Sequence, residues 1–386
     1  MLATPYRRLH LFNYVFTRTC YTGSQKRRHI VEAIVVIQNP SQSVLLLSHL
    51  IFKLLNSLKN LTRLSGWLVF CYWFYFRLLT FYFVSQYSTK YTHKLAHKEG
   101  IWCCTWGENQ YRNKQYIITG SLDNSLIAWE WTNDRLKSLY RFEGHRLGVI
   151  SVDINSTGTL AASSSLDSQI LLWDLETGTL TKTYDGDPAD TWTVAFSPDS
   201  RFLATGSHTG CVNMINVQTA EKESSIQLEG KFVYSLAYSS DGSKLAAGTI
   251  NGLVSICDLK TGNVQFLDGH ATPVRSVSFS PDGHLLASAS DDKQIKVFDI
   301  RDGRLVIPSF NGHKGWVMSV DFAPDNRHLV TASTDCSVRI WDLASKEEKQ
   351  CLNAHEDQVW CARYSPRGKN IISVGDDRSI LIYQCA

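Results

Sequence analysis

From residue 97 onward, apolar and polar positions alternate in short runs. Ile295 and Val297 stand against Gln294 and Lys296, and Val338 and Ile340 against Ser337 and Arg339. A period of two is that of a β-strand with two unlike faces. Turn-forming sequences separate the runs: Ser197-Pro198-Asp199-Ser200, Ser240-Asp241-Gly242 and Ser280-Pro281-Asp282-Gly283, where Pro presets φ, Asp bonds its own backbone and Gly accepts a positive φ. No amphipathic helical pattern interrupts them, so the pattern predicts an all-β chain.

The strands are organised by a repeat. A strand ends in Trp-Asp or a degenerate form at Trp129-Glu130, Trp173-Asp174, Asn216-Val217, Cys257-Asp258, Phe298-Asp299, Trp341-Asp342 and Tyr383-Gln384, at intervals of 44, 43, 41, 41, 43 and 42 residues. Six residues before each marker stands a turn residue: Asp123, Asp167, Gly210, Asn251, Asp292, Asp335 and Asp377. His145, His270, His313 and His355 each precede their turn residue by 22 positions, and His97 precedes Asp123 by 26. A repeat of this length with these markers is that of a seven-bladed WD-repeat β-propeller, four strands to a blade.

Within a blade the His, the turn Asp, a hydroxyl and the Trp are expected to hydrogen-bond in a chain. The second blade supplies His145, Ser165, Asp167 and Trp173, and the sixth supplies His313, Ser333, Asp335 and Trp341. A His-Asp-Ser set also occurs in serine hydrolases, but here it recurs around a ring, ends in Trp and lacks a G-x-S-x-G elbow, so it is read as structural. The third and fourth blades lack the set and are expected to rely on apolar packing. The last marker falls three residues from the C-terminus, which leaves the seventh blade one strand short. Residues 88–96 are expected to supply that strand, because an open edge invites pairing with other chains.

Charge divides the chain in two. Residues 1–86 hold ten Lys and Arg against one acid, Glu32, whereas residues 87–386 hold 29 against 35. The propeller is therefore mildly acidic, and no direct contact with nucleic acid is expected of it. The first segment, 1–86, reads as an extension of uncertain structure. Its stretch 67–84 approaches the length of a membrane span, yet Arg77 interrupts it, and nine preceding Lys and Arg would by the positive-inside rule put the propeller outside the cytosol. Membrane insertion is not expected, and a membrane-anchored adaptor stays as an alternative. The ten cysteines include Cys103 and Cys104 side by side and show no C-x-x-C pair or zinc spacing, so free thiols, no metal and no cofactor are expected. No P-loop or dinucleotide fingerprint is present, and an enzyme is not expected.

A binding face follows from the register. The position five after each blade His lies on the innermost strand near the top of the funnel and holds Trp102, Ile150, Trp192, Tyr234, Arg275, Met318 and Trp360. The position three after the His adds Phe232, Pro273 and Trp316, and the residue before the turn position adds Leu122, Leu166, Asp291 and Asp376. Exposed aromatics clustered on a rim suit a protein-binding hot spot, with Asp291 or Asp376 open to a basic side chain.

Three runs carry a closer resemblance. They are Glu143 to Asp153 continued by Ala161 to Asp167, then Asp190 to Ser200, then Ile371 to Asp377. Together they resemble the WD-repeat subunits of the superkiller (Ski) complex, over about residues 89–386. Glu229, in the run Glu229 to Phe232, departs from that likeness by standing where a basic residue is expected. The resemblance implies a non-enzymatic adaptor that sits with a helicase and a tetratricopeptide scaffold in the cytoplasm, supporting exosome-mediated 3′ to 5′ decay of messenger RNA. It also implies membership, in the nucleus, of the polymerase-associated factor complex of transcription elongation. A reader of histone tails or other Arg-containing peptides is the alternative that the aromatic funnel allows.

Overall fold

The computed structural model describes residues 87–109, 111–185, 191–229 and 232–385, together with a short antiparallel pair, Thr17–Arg18 against His29–Ile30. The chain divides into two compact units, Met1–Tyr82 and Phe83–Ala386. Apart from that pair, the basic extension and its apolar stretch 67–84 lie outside the described residues.

The second unit is a ring of seven four-stranded antiparallel sheets, each built in chain order from the innermost strand outward. The blades run over 101–143, 149–185, 193–227, 233–268, 274–310, 317–352 and, for the seventh, 359–384 completed by Ser88–His93. That completing strand pairs antiparallel with Ile380–Gln384, Thr89 opposite Tyr383 and Thr92 opposite Leu381. Residues 94–96 turn away from it toward His97. Tyr87 ties the entry of the strand down: its N–H donates to Gln350 Oε1 at 2.8 Å, its carbonyl accepts from Gln350 Nε2 at 2.7 Å, and its ring is buried between the sixth and seventh blades.

The core is divided among the blade interfaces. Among the described residues there are seven apolar clusters, each shared by two neighbouring blades. A middle strand is therefore buried on both faces, which is why Gln169–Asp174 reads Ile-Leu-Leu-Trp without a polar break. The second strands carry small residues because the next blade lies close: a Cβ on Gly248 would fall 2.7 Å from Val274 Cγ1. In most blades the marker residue plugs the interface with the preceding blade. Trp173 lies against Phe142 with ring centroids 4.7 Å apart, and Trp341 against Phe310 at 5.1 Å.

The third blade corrects the sequence register by one residue. Ile215, paired with Leu203, occupies the place of the Trp, and Thr209, whose N–H donates to Ser207 Oγ, occupies the place of the turn Asp. Gly210 is instead the left-handed residue that follows, φ +87°. The marker is thus Ile215-Asn216 rather than Asn216-Val217, and the spacings on either side become 42 residues each.

Candidate functional site

Because each blade begins at its innermost strand, its first and third connections fall at opposite ends from its second and fourth. The His loops and the Asp turns meet at one end, called the top here. There the hydrogen-bonded chains form, with one correction. His145 Nδ1 faces Asp167 at 3.2 Å, and its Nε2 meets Ser163 Oγ at 2.8 Å, which also accepts the Trp173 indole N–H at 2.9 Å. In the sixth blade His313 joins Asp335 at 3.0 Å and Thr331 at 2.7 Å, with Trp341 donating to Thr331 at 2.9 Å. The hydroxyl is thus two residues earlier than expected.

Ser165 and Ser333 cap the turns instead: each accepts the N–H of its turn Asp, and Ser165 donates to the Leu147 carbonyl. An imidazole presents its nitrogens on opposite sides, so with Nδ1 on the turn Asp, Nε2 reaches one pleat further down the strand. The first blade completes the set with His97, Asp123, Thr119 and Trp129. The fifth and seventh keep the His-Asp-hydroxyl part, His270-Asp292-Ser288 and His355-Asp377-Ser373, with Phe298, which has no donor, and Tyr383 in the Trp position. Burial lowers the pKa of His97, His145 and His313. Burial also pushes the Asp167 carboxyl up, but the N–H groups of Arg146 and Gln169 and the His145 ring outweigh it and hold it below its ordinary value. A neutral imidazole fits this arrangement, accepting from the hydroxyl and donating to the carboxylate. Ser163 and Thr331 are fully buried, so no substrate reaches these hydroxyls.

The expected funnel residues converge. Trp102, Ile150, Trp192, Tyr234, Arg275, Met318 and Trp360 all line a central cavity of about 520 Å³. Trp102 and Trp360 stack across the seam of the first and seventh blades, centroids 4.6 Å apart at 25°, and neither indole N–H has a partner. Opposite them, Trp192, Phe232 and Tyr234 pack edge to face and tilted at 4.6 to 5.9 Å. Trp316 stands on the rim, 49% exposed. Leu95, Leu147, Leu166 and Ile250, also exposed, lie in loops of the same end.

The two carboxylates differ from each other. Asp291 is closed to a ligand, since it holds the Arg275 guanidinium in a two-pronged pair at 2.8 and 2.7 Å. That guanidinium lies 4.5 Å from the Tyr234 ring centroid and 5.7 Å from that of Trp316. Asp376 is half-buried above Gly100, where a Cβ would fall 2.4 Å from Asp376 Oδ1.

Deeper in the bore the structure adds residues that no sequence signal marked. Asp153 Oδ2 accepts the Phe196 N–H and Asp321 Oδ2 the Tyr364 N–H, each at 2.8 Å, so side chains of one blade bind the innermost strand of the next. Ser151, Ser276 and Ser319 do the same for Val194, Val320 and Ala362. Arg363 reaches Asp321 at 3.3 Å. Burial pushes the Asp153 carboxyl up to about 6, against the opposing pull of the Phe196 and Ile154 N–H groups, and burial raises Asp321 as well.

A closed ring of this kind, with an aromatic mouth and structural hydrogen-bond chains, is an interaction scaffold. The chain belongs to the WD40 family, described as WD domain, G-beta repeat, which matches it at residues 89–130, 136–174, 178–216, 222–258, 262–299, 305–342 and 346–384. Such propellers are typically non-enzymatic and mediate protein–protein contacts. The chain is similar to WD repeat-containing protein SL1-17 of Schistosoma mansoni, 90% identical over 301 residues that cover 78% of this chain and all of that protein. It is similar to WD repeat-containing protein VIP3 of Arabidopsis thaliana, 33% identical over 201 residues, 48% of this chain and 62% of that one. Meiotic recombination protein rec14 of Schizosaccharomyces pombe is 29% identical over 162 residues, 41% of this chain and 54% of that one.

Proposed function

We propose that this scaffold is the WD-repeat adaptor of a superkiller-type complex, supporting exosome-mediated decay of messenger RNA in the cytoplasm, and a subunit of the polymerase-associated factor complex in the nucleus. The observation that carries the reading is the convergence of Trp102, Trp192, Tyr234 and Trp360 on one mouth with Trp316 on its rim. Large aromatics at the centre of a face concentrate binding energy, and the runs that resemble superkiller subunits name the partner class: a tetratricopeptide scaffold, with a helicase bound beyond it. The mild acidity of the propeller supports leaving RNA contact to those partners.

The rival reading as an Arg-peptide reader has less support, because of the two carboxylates expected to receive a basic ligand, Asp291 is already occupied by Arg275. The test is capture of the tetratricopeptide scaffold by the purified chain. Trp316→Ala is the clean probe, since the ring is half exposed. It should weaken capture about thirtyfold, or roughly 2 kcal/mol, with an unchanged thermal midpoint. Normal capture by a folded Trp316→Ala protein would move the interface to another face.

A further inference from the structure

At the bottom of the ring, opposite the aromatic mouth, lies a groove of about 440 Å³ between the third and fourth blades. Its origin is a missing plug. At the other blade interfaces the marker residue joins the shared apolar cluster: Trp129, Trp173, Ile215, Phe298, Trp341 and Tyr383. The fourth blade carries Cys257 there, outside the cluster that the third and fourth blades share. The outer strand facing it offers Ile226 where the first and fifth blades place Phe142 and Phe310. A thiol and a branched aliphatic replace an indole and a phenyl ring, and the deficit opens to solvent.

The floor is apolar: Phe202, Met214, Ile226, Tyr238, Cys257 and Leu259 line it. One polar atom in it is poorly served, since the half-buried Tyr238 hydroxyl has the Met214 thioether as its partner, at 3.6 Å, a weak acceptor. Around the opening stand Asp199, Glu223 and Asp241, all exposed, and no Lys or Arg lines the groove. Hydrogen bonds from the Ser239 hydroxyl and Ser243 hold the Asp241 carboxyl down at about 2. Three acidic side chains thus stand around an apolar slot.

From this geometry we infer that the groove is a second docking site, taking a peptide segment of a partner protein that inserts one large apolar side chain and sets Lys or Arg beside it. The apolar side chain takes the place of the missing Trp. A backbone carbonyl of the segment gives Tyr238 a proper acceptor, and the basic groups meet Asp199, Glu223 and Asp241. The site is independent of the top face and occupies the opposite end of the ring.

The experiment screens the fluorescently labelled full chain against a bead-bound library of random eight-residue peptides, then measures the enriched peptides by calorimetry. The expected consensus is an aromatic or long aliphatic residue flanked by Lys or Arg. Its binding should fall at least tenfold in Cys257→Trp, which refills the slot, and in the double variant Glu223→Lys with Asp241→Lys, while Trp316→Ala leaves it unchanged. If Cys257→Trp fails to fold, the exposed charge-reversal pair carries the comparison. The inference is overturned if no peptide is enriched, if the consensus lacks a basic residue, or if the groove variants leave binding intact. Peptides lost only in Trp316→Ala would belong to the mouth and would equally overturn it.

Discussion

Arg275 on the innermost strand of the fifth blade and Asp291 in the turn after the second strand form a two-pronged ion pair, and the pair fixes the guanidinium between the rings of Tyr234 and Trp316. Asp291 is 9% exposed and Arg275 21%, so the pair sits largely out of water. Asp291→Ala leaves a half-buried cation without its acceptors and should cost about 2 kcal/mol. Asp291→Asn keeps one acceptor and should cost about half of that. Chemical denaturation of the two variants checks the order, and equal stability with the parent would show that the pair contributes nothing.

Thr331→Val removes one hydroxyl at nearly constant shape and strands two groups at once, His313 Nε2 and the Trp341 indole N–H. The expected loss is about 2 kcal/mol or more. Ser333→Ala loses only a turn contact to the Asp335 N–H and should cost about 1 kcal/mol. If the two denaturation midpoints fell in the reverse order, the sixth blade would be held by Ser333 after all.

Stability should decline from pH 7 to pH 5. The buried His97, His145 and His313 have folded pKa values below the unfolded one, which is about 6.5. As pH falls through that value the unfolded chain takes up protons first, and the equilibrium shifts toward it. Asp153 opposes this: its folded pKa, near 6, lies above that of the unfolded chain, so its protonation favours the fold as pH falls. Asp153→Asn should therefore steepen the decline. A denaturation midpoint that rose toward pH 5 would refute the assignment of neutral histidines.

Removal of residues 1–86 should leave a stable monomer, because Tyr87 and Ser88–His93 remain to complete the seventh blade. Removal of residues 1–97 bares the edge of Ile380–Gln384 and takes away His97 of the first blade, so aggregation or a lower thermal midpoint is expected. Light scattering and melting of the two truncations compare them directly; identical behaviour would mean that the strand is dispensable.

The ring, its seven blades and the convergence of Trp102, Trp192, Tyr234 and Trp360 could be read from spacing, because Trp and His recur in fixed register and a closed repeat brings equivalent positions together. The hydroxyl of each chain could not. Ser163 and Ser165 are two residues apart and point to the same side of a strand, so only the reach of the imidazole decides between them. The third blade slipped by one because Ile215 carries no chemical mark of its role. Asp153, Asp321 and Arg363 carry no mark within their own repeats, and each acts across a seam between neighbouring blades. The groove beside Cys257 is defined by a ring that is missing, and no residue marks an absence.

The partnership of Ser88–His93 with Ile380–Gln384 also sets a timetable for synthesis. The strand that finishes the circle leaves the ribosome among the first of the ring, yet its neighbour is made almost 290 residues later. Six blades can therefore be assembled while the circle is still an open arc, with one bare strand waiting at its start. Pairing so distant in sequence is slow to find. The nascent chain is thus most exposed to misassembly in the interval before Ile380–Gln384 is made, and the seal that protects the finished ring is the last part of it to form.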